Sequence, residues 1–430
     1  MKKVAIAGFG VVGGGVAEIL CRNADLIEQK TGQRLELGYI VDLREFPDSP
    51  YADKLTKDFG AVESDPEVFV VVEAIGGCGA ALNFCTRALK AGKSVVTSNK
   101  QLVAEHGLEL VALAKEHGVN FLFEASVGGG IPLLHPLNRC LAANTITEVT
   151  GILNGTTNYI LTQMLENGAD YGDALKQAQK LGYAEADPTA DVEGIDAGRK
   201  TCILADLAFG RNVSPKNVSM EGISKITALD AAFAESAGMK IKLLGRAVMQ
   251  DGREYAFVSP HFVKNSVLLS NVGDVFNAAV IKGSEVGEVL FYGPGAGRFP
   301  TASAVVGDVI DIAANPGRPQ PACWSAEEAE LADPETFRAS FFFRTSEAKA
   351  DVEAKLGNVT WRPDQNGVHG GITGVMTKKE ILASGFSPDA CWPVYGGYTL
   401  PGERSEWQRL YRNSAAAPWQ MRNGCSMWRS

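Results

Sequence analysis

Over the first 130 residues, short unbroken apolar runs alternate with stretches whose apolar residues recur every three or four positions. "KVAIAG" is followed by "VVGGGVAEILCRNADLI", then "LELGYIVDL", "VFVVVEAIGG", "NFCTRALKAG", "SVVTSNK", "GLELVALAKEHG" and "NFLFEASVGGG". Strand and helix patterns alternating in this way predict an α/β unit, a parallel sheet with helices on both faces. From about 131 to 300 the pattern changes: helical stretches come first ("YILTQMLENG", "YGDALKQAQKLG", "PTADVEGIDAGRKTCILADLAFG"), then strands ("IKLLGRAVM", "EYAFVSPHFV", "NAAVIKG", "EVLFYG"). That order predicts an α+β unit. "GPGAGRFPTASAVVGDVIDIAAN" reads as a Gly-rich turn opening a helix that returns to the first unit, at about 300–316. Residues 316–336 are Pro-rich and polar, the composition of a linker. A short α+β segment follows over 337–390. Residues 391–430 show no consistent period and read as a frayed tail.

Composition narrows this picture. A chain of 430 residues exceeds one core and predicts two or three domains. A net charge of −9 without a basic stretch argues against nucleic acid or an anionic membrane as partner. No apolar run approaches the ~20 residues of a membrane span. The eight cysteines lack CxxC or Cys/His zinc spacing and read as free thiols of a reducing, cytoplasmic compartment.

Gly8-Phe9-Gly10-Val11-Val12-Gly13 is GxGxxG between a strand and an amphipathic helix, a dinucleotide-binding pattern. Asp42, ending the second strand, is the candidate for ribose hydroxyls and NAD; Arg44 is the candidate for a 2′-phosphate and NADP. Lys100 ends a later strand, where open parallel sheets bind ligands. Glu124 ends another beside three glycines, where oxygen donors suit a hard cation; a plain crossover between domains is the alternative.

The stretch "EADPTADVEGIDAGRK", 185–200, concentrates carboxylates before an apolar run. Asp187 and Pro188 have cap and first-turn preferences, and Asp191 and Glu193 suit the helix dipole. Asp196 and Lys200, four apart on one face, need another explanation. A lysine held by an aspartate one turn away is a general acid for a carbonyl oxygen. Glu185, before the cap, is placed to bind an ammonium group.

Over about 1–316 the chain resembles homoserine dehydrogenase, through "GFGVVGGGV", "VVEAIGG", "SVVTSNK", "FEASVGGGIP", "GILNGTTNYIL", "LGYAEADPTADVEGIDAGRK", "IKLLGRA" and "GPGAGRFPTASAVVGD", in family order. The resemblance implies an N-terminal Rossmann dinucleotide-binding domain over 1–130, a catalytic and dimerisation domain over 131–300, and NAD- or NADP-dependent interconversion of L-homoserine and L-aspartate 4-semialdehyde in threonine, methionine and isoleucine biosynthesis. It implies Lys200 as proton donor, Lys100 as the second active-site lysine, and Glu185, Asp191 and Asp196 as residues that hold homoserine and orient the lysine. It further implies cofactor contacts at Gly76, Gly182, Gly295 and Gly297, and a sodium ion held by Glu124 with backbone atoms of Val127, Gly129 and Ile131. The assembly expected is a homodimer or homotetramer. A catalytically silent dinucleotide-binding sensor on the same fold is the competing reading, and retention of Lys100, Glu185, Asp196 and Lys200 opposes it.

Residues 337–385 follow the order of an ACT module, a ligand-sensing βαββαβ unit. "RTSEAKADVEAKL" lacks the Asp-x-x-Gly turn that contacts an amino-acid effector, and no convincing final strand follows. Threonine sensing through that turn is therefore not expected.

Overall fold

The structure, a computed structural model, describes residues 2–318 and 324–396. Six strands, β1 (Lys2–Ala7), β2 (Leu35–Val41), β3 (Leu55–Thr56), β4 (Val68–Glu73), β5 (Ser94–Thr97) and β6 (Phe121–Leu122), form one sheet in the order β3-β2-β1-β4-β5-β6. Every pairing is parallel. The reversal of strand order beside β1 opens a crevice at the carboxyl ends of β1 and β4, where this architecture takes its ligand. Buried Val and Ile side chains on both faces are why these strands read as unbroken apolar runs.

The helix Arg298–Ala314 does return to this unit. Its Ala302, Val305, Val306, Val309 and Ile312 share a core with Val16, Ile19 and Leu20 of the helix Val11–Arg22. Gly15 permits the close approach, since a Cβ there would stand 2.9 Å from the Arg298 carbonyl oxygen.

The second sheet contains β7 (Ile146–Ile152), β8 (Ser219–Met220), β9 (Met239–Gln250), β10 (Arg253–Lys264), β11 (Phe276–Gly283) and β12 (Gly287–Pro294). Its spine is the long antiparallel pair β9–β10, joined at Asp251-Gly252, both with positive φ, the geometry an Asp-Gly hairpin turn supplies. The helix Ile195–Phe209 packs beneath it, buried over most of its surface.

The C-terminal region departs from expectation in three ways. β14 (Phe341–Thr345), β15 (Val359–Trp361), β16 (His369–Thr373) and β18 (Ala390–Tyr395), with the two-residue strands β13 (Arg338–Ala339) and β17 (Met376–Thr377) beside them, give the βαββαβ succession complete with its final strand. "ACWPVY" hides that strand from a periodicity search, because Ala390, Trp392, Pro393, Val394 and Tyr395 are all buried and no alternation results. Residues 391–395 therefore belong to a strand rather than a tail; the rest of the expected tail, from 397, lies outside the described residues. β18 also pairs in parallel with β10, so the segment continues the second sheet instead of hanging from a linker. The described part of the expected linker is itself docked: Trp324 is buried against Phe123 and Gly107, and Asn212 and Glu254 form bridges to Glu328 and Leu331. Arg344 on β14 completes the join with a 2.7 Å ion pair to fully buried Asp230.

Candidate active site

Three strand ends converge on the crevice. Glu73 closes β4, and its Oε1 accepts from Ile75 N at 2.7 Å while its Oε2 accepts from the Thr97 hydroxyl at 2.5 Å. Burial pushes the Glu73 carboxyl above its usual range. Asn99, just past β5, caps the helix Lys100–Glu116 by accepting from Leu102 N, and its amide donates to the Gly77 carbonyl at 2.6 Å. Together they hold the Ile75–Gly77 turn, with Gly76, beside the first residue of the lysine-bearing helix.

The glycine-rich loop is shaped by close contact. A Cβ at Gly8 would lie 2.6 Å from the Ala74 carbonyl oxygen, and one at Gly13 would collide with the Gly8 carbonyl. Gly10 caps the following helix, is open on its Cβ side, and leaves that helix's first amides without a side-chain cap. Val11 and Val12 form its first turn, Val11 being exposed. Asp42 accepts from Phe9 N at 2.8 Å and from Arg44 through both Nε and Nη2, at 3.0 and 2.8 Å. The Arg44 guanidinium holds the Asp42 carboxyl well below its ordinary value. The two candidates for reading the ribose are thus partners of each other, with Arg44 also lying over the Phe46 ring at 5.1 Å.

The stretch from 185 to 200 folds differently from the single helix its pattern suggests. A short helix, Thr189–Val192, ends at Glu193-Gly194, and Gly194 takes a left-handed φ of 81° before Ile195–Phe209 begins. The break frees the Val192 carbonyl to accept from Ile223 N at 2.8 Å. It also lets Asp191 and Asp196 approach one side chain from different elements. That side chain is Asn154, whose Nδ2 donates to Asp191 Oδ1 at 2.7 Å and to Asp196 Oδ2 at 2.9 Å. Its Oδ1 caps the helix Gly155–Asn167 by accepting from Thr157 N at 2.8 Å.

Lys200, buried, donates from Nζ to Asp196 Oδ2 at 2.7 Å and to the Leu153 carbonyl at 2.7 Å. Lys100 pairs with Asp196 Oδ1 from the other sheet's side of the crevice. One carboxylate thus bridges two ammonium groups. Burial alone would raise the Asp196 pKa, but Lys200 and Lys100 outweigh it and hold the group ionised. Lys200 is lowered from 10.5 because burial and the charge of Lys100 exceed the help from Asp196. Asp191 is raised by burial and by the nearby Asp196 charge, against the Asn154 bond.

Glu185 stands apart: its side chain is exposed, and its carbonyl accepts from Gln179 Nε2 at 3.1 Å. Gly182 is exposed at the end of the helix Tyr171–Lys180, and Gly297 caps Arg298–Ala314 beside Gly295.

Glu124 is buried, and its carboxylate accepts from the backbone N–H groups of Leu133, Leu134 and His135 at 2.6, 3.0 and 2.5 Å. Its own N–H donates to Asp308, whose carboxyl is raised by burial and the Glu124 charge. Among the described residues no hydrogen bond is recorded to the carbonyl oxygens of Val127, Gly129 or Ile131. Buried oxygen donors of this kind fit a hard cation.

Sequence reasoning passed over Asn154, Asn99 and Glu73. A signal for the first existed, since Asn before Gly-Thr-Thr at a strand end is a cap pattern. Nothing in the sequence indicates that the same amide reaches two aspartates more than thirty residues away.

Residues 8–124 match the family model "Homoserine dehydrogenase, NAD binding domain" and residues 132–310 match "Homoserine dehydrogenase". The chain belongs to the homoserine dehydrogenase family. It is 45% identical over 311 residues to the homoserine dehydrogenase of Pseudomonas aeruginosa, 72% of each chain, and 42% identical over 317 residues to that of Bacillus subtilis, 73% of each. A crystal structure of a homoserine dehydrogenase from Thiobacillus denitrificans superposes with a TM-score of 0.83 at 35% identity, covering 91% of this chain and 98% of the other. A hyperthermophilic archaeal homoserine dehydrogenase in complex with NADPH superposes at 0.62 and 29% identity, covering 72% and 97%. The chain is therefore an NAD(P)-dependent oxidoreductase of this family, with a nicotinamide cofactor. No helix among the described residues is long and apolar enough to cross a membrane.

Proposed function

We propose that the chain interconverts L-homoserine and L-aspartate 4-semialdehyde, with Lys200 giving the proton to the aldehyde oxygen in one direction and taking it from the hydroxyl in the other. The observation that carries this is the bridge Lys200–Asp196–Lys100 at the carboxyl ends of the parallel strands. When bound, the nicotinamide supplies the hydride or accepts it. An ammonium has three donors; Leu153 and Asp196 take two of those on Lys200, so the third is aimed by the first two. Asp196 keeps the buried lysine charged enough to act as an acid, and burial keeps its pKa low enough for it to act as a base in reverse. Lys100 steadies Asp196 and meets the substrate side of the cofactor. Asp191 and Glu185 bind the amino group of homoserine.

The first-turn amides following Gly10, with Gly8, Phe9, Val11, Val12, Gly13, Gly76, Gly182, Gly295 and Gly297, cradle the dinucleotide; Asp42 and Arg44 choose between NAD and NADP. Glu124 with the carbonyls of Val127, Gly129 and Ile131 would hold a sodium ion, a hard, purely electrostatic tie across the turn that packs on Gly295. The working assembly is a homodimer or homotetramer built on the second sheet, in the cytoplasm.

Initial rates with homoserine, with NAD and NADP titrated separately, test the reading. Turnover is expected, with Lys200→Ala abolishing it at little loss of cofactor binding. Near-normal turnover in that variant would refute the proton role of Lys200. Glu185→Gln is expected to raise the Michaelis constant for homoserine, and an unchanged constant removes Glu185 from the substrate site.

A further inference from the structure

Cysteine and histidine in this chain show no zinc spacing, yet the fold assembles three different ligand types at the rim of the crevice. Cys78 ends the Ile75–Cys78 turn and stands at the start of the helix Gly79–Lys90; Glu105 and His106 lie on the helix Lys100–Glu116. A thiol sulfur, a carboxylate oxygen and an imidazole nitrogen from these residues lie within 4.8 Å of one another.

The surroundings add to this. Cys78 Sγ is 3.5 Å from Glu105 Oε2. The other carboxylate oxygen of Glu105 is held by Gln101 Nε2 at 3.1 Å, with Arg199 Nη2 at 3.8 Å, so the carboxylate is oriented from the side away from the sulfur. His106 Nδ1 is 3.0 Å from Glu109 Oε1, a carboxylate–imidazole pairing that orients the ring.

We propose that Cys78, Glu105 and His106 form a binding site for a divalent transition metal of the zinc class. Sulfur, nitrogen and oxygen donors in one set suit Zn²⁺ rather than Mg²⁺ or Ca²⁺, and three protein ligands leave a fourth position for water. Binding converts the Cys78 thiol to a metal thiolate and passes its proton to solvent. The thiolate and the Glu105 carboxylate balance the charge of the ion, and Arg199 remains paired with the far carboxylate oxygen. A metal here ties the turn after β4 to the helix that begins with Lys100. This site is separate from the lysine pair and from the oxygen donors near Glu124.

The test uses the full-length chain stripped with a chelator and titrated with Zn²⁺ by calorimetry. One equivalent is expected to bind, weakened by roughly 100-fold in both Cys78→Ser and His106→Gln, the upper end of what outer-shell changes alone cost. Serine is a good helix N-cap, so Cys78→Ser retains the fold. Co²⁺ should give a sulfur-to-metal charge-transfer band in the wild type that is lost in Cys78→Ser. Absence of Zn²⁺ binding, equal binding by the variants, or a Co²⁺ complex without that band would overturn the assignment.

Discussion

Replacing Asn154 by Asp separates the two tasks of one side chain. The Oδ1 that caps the helix Gly155–Asn167 survives, because a carboxylate accepts from Thr157 N as an amide carbonyl does. The donor shared by Asp191 and Asp196 is lost, and a third carboxylate enters a cluster where contacts are 2.7 and 2.9 Å. A hydrogen bond to a charged group contributes about 1.5–3 kcal/mol. Losing the hold on Asp196 alone should thus lower kcat/KM by roughly 10- to 150-fold, at about 1.4 kcal/mol per decade. Asn154→Ala loses the cap as well, about 1 kcal/mol of stability, which is roughly 2–4 °C in melting temperature for a domain of this size. Initial rates and thermal melts on both variants read the two effects separately. Asn154→Asp should be slow and retain the cap's stability, whereas Asn154→Ala should be slow and lack it. If Asn154→Asp turns over within twofold of wild type, the bridging role is wrong; if Asn154→Ala melts at the wild-type temperature, the capping argument is.

Three further outcomes are expected. Gly10→Ala should fold normally and weaken cofactor binding by fluorescence titration, since its Cβ side is open, whereas Gly13→Ala should destabilise the loop itself because its Cβ meets the Gly8 carbonyl. Burial would raise the Glu148 carboxyl, but Arg246 and Lys282 hold it at about 2, against 4.5 for an unperturbed glutamate. Its contribution, roughly 3 kcal/mol at most, is present above pH 4.5 and lost as pH falls toward 2; Glu148→Gln should flatten stability against pH over that window in urea titrations. Arg344→Met strands the buried Asp230 charge and should lower stability by about 3–5 kcal/mol, with circular dichroism melts as the check; an unchanged melt would mean the ion pair does not hold the C-terminal strands.

What was legible in the sequence is what depends on local pattern. β1, β2, β4, β5 and β6 announce themselves through their apolar runs, whereas the two-residue β3 (Leu55–Thr56) is too short to show one; Gly8 and Gly13 are legible because close backbone approach there admits only glycine. Asp196 and Lys200 could be paired because helical spacing brings residues four apart together. Less accessible was anything decided by tertiary contact. The kink at Gly194 depends on where Val192 and Ile223 meet, and β18 escapes notice because its side chains enter hydrophobic cores on both faces. Glu185 and Asp191 lie in one charged run, but only Asp191 meets Asn154; no spacing rule distinguishes them.

Trp324 also bears on how the chain can be shortened. It follows the last helix of the nucleotide-binding unit, and its indole sits against Gly107, on the same helix as Lys100 and seven residues beyond it. A protein cut just after that unit would expose Phe123 and the underside of the helix that presents the lysine. Deletion of the C-terminal segment is therefore unsuitable as a clean probe of regulation: altered kinetics in such a fragment would report a lost support as readily as a lost sensor. A cut placed beyond Trp324 would keep the indole and separate the two effects.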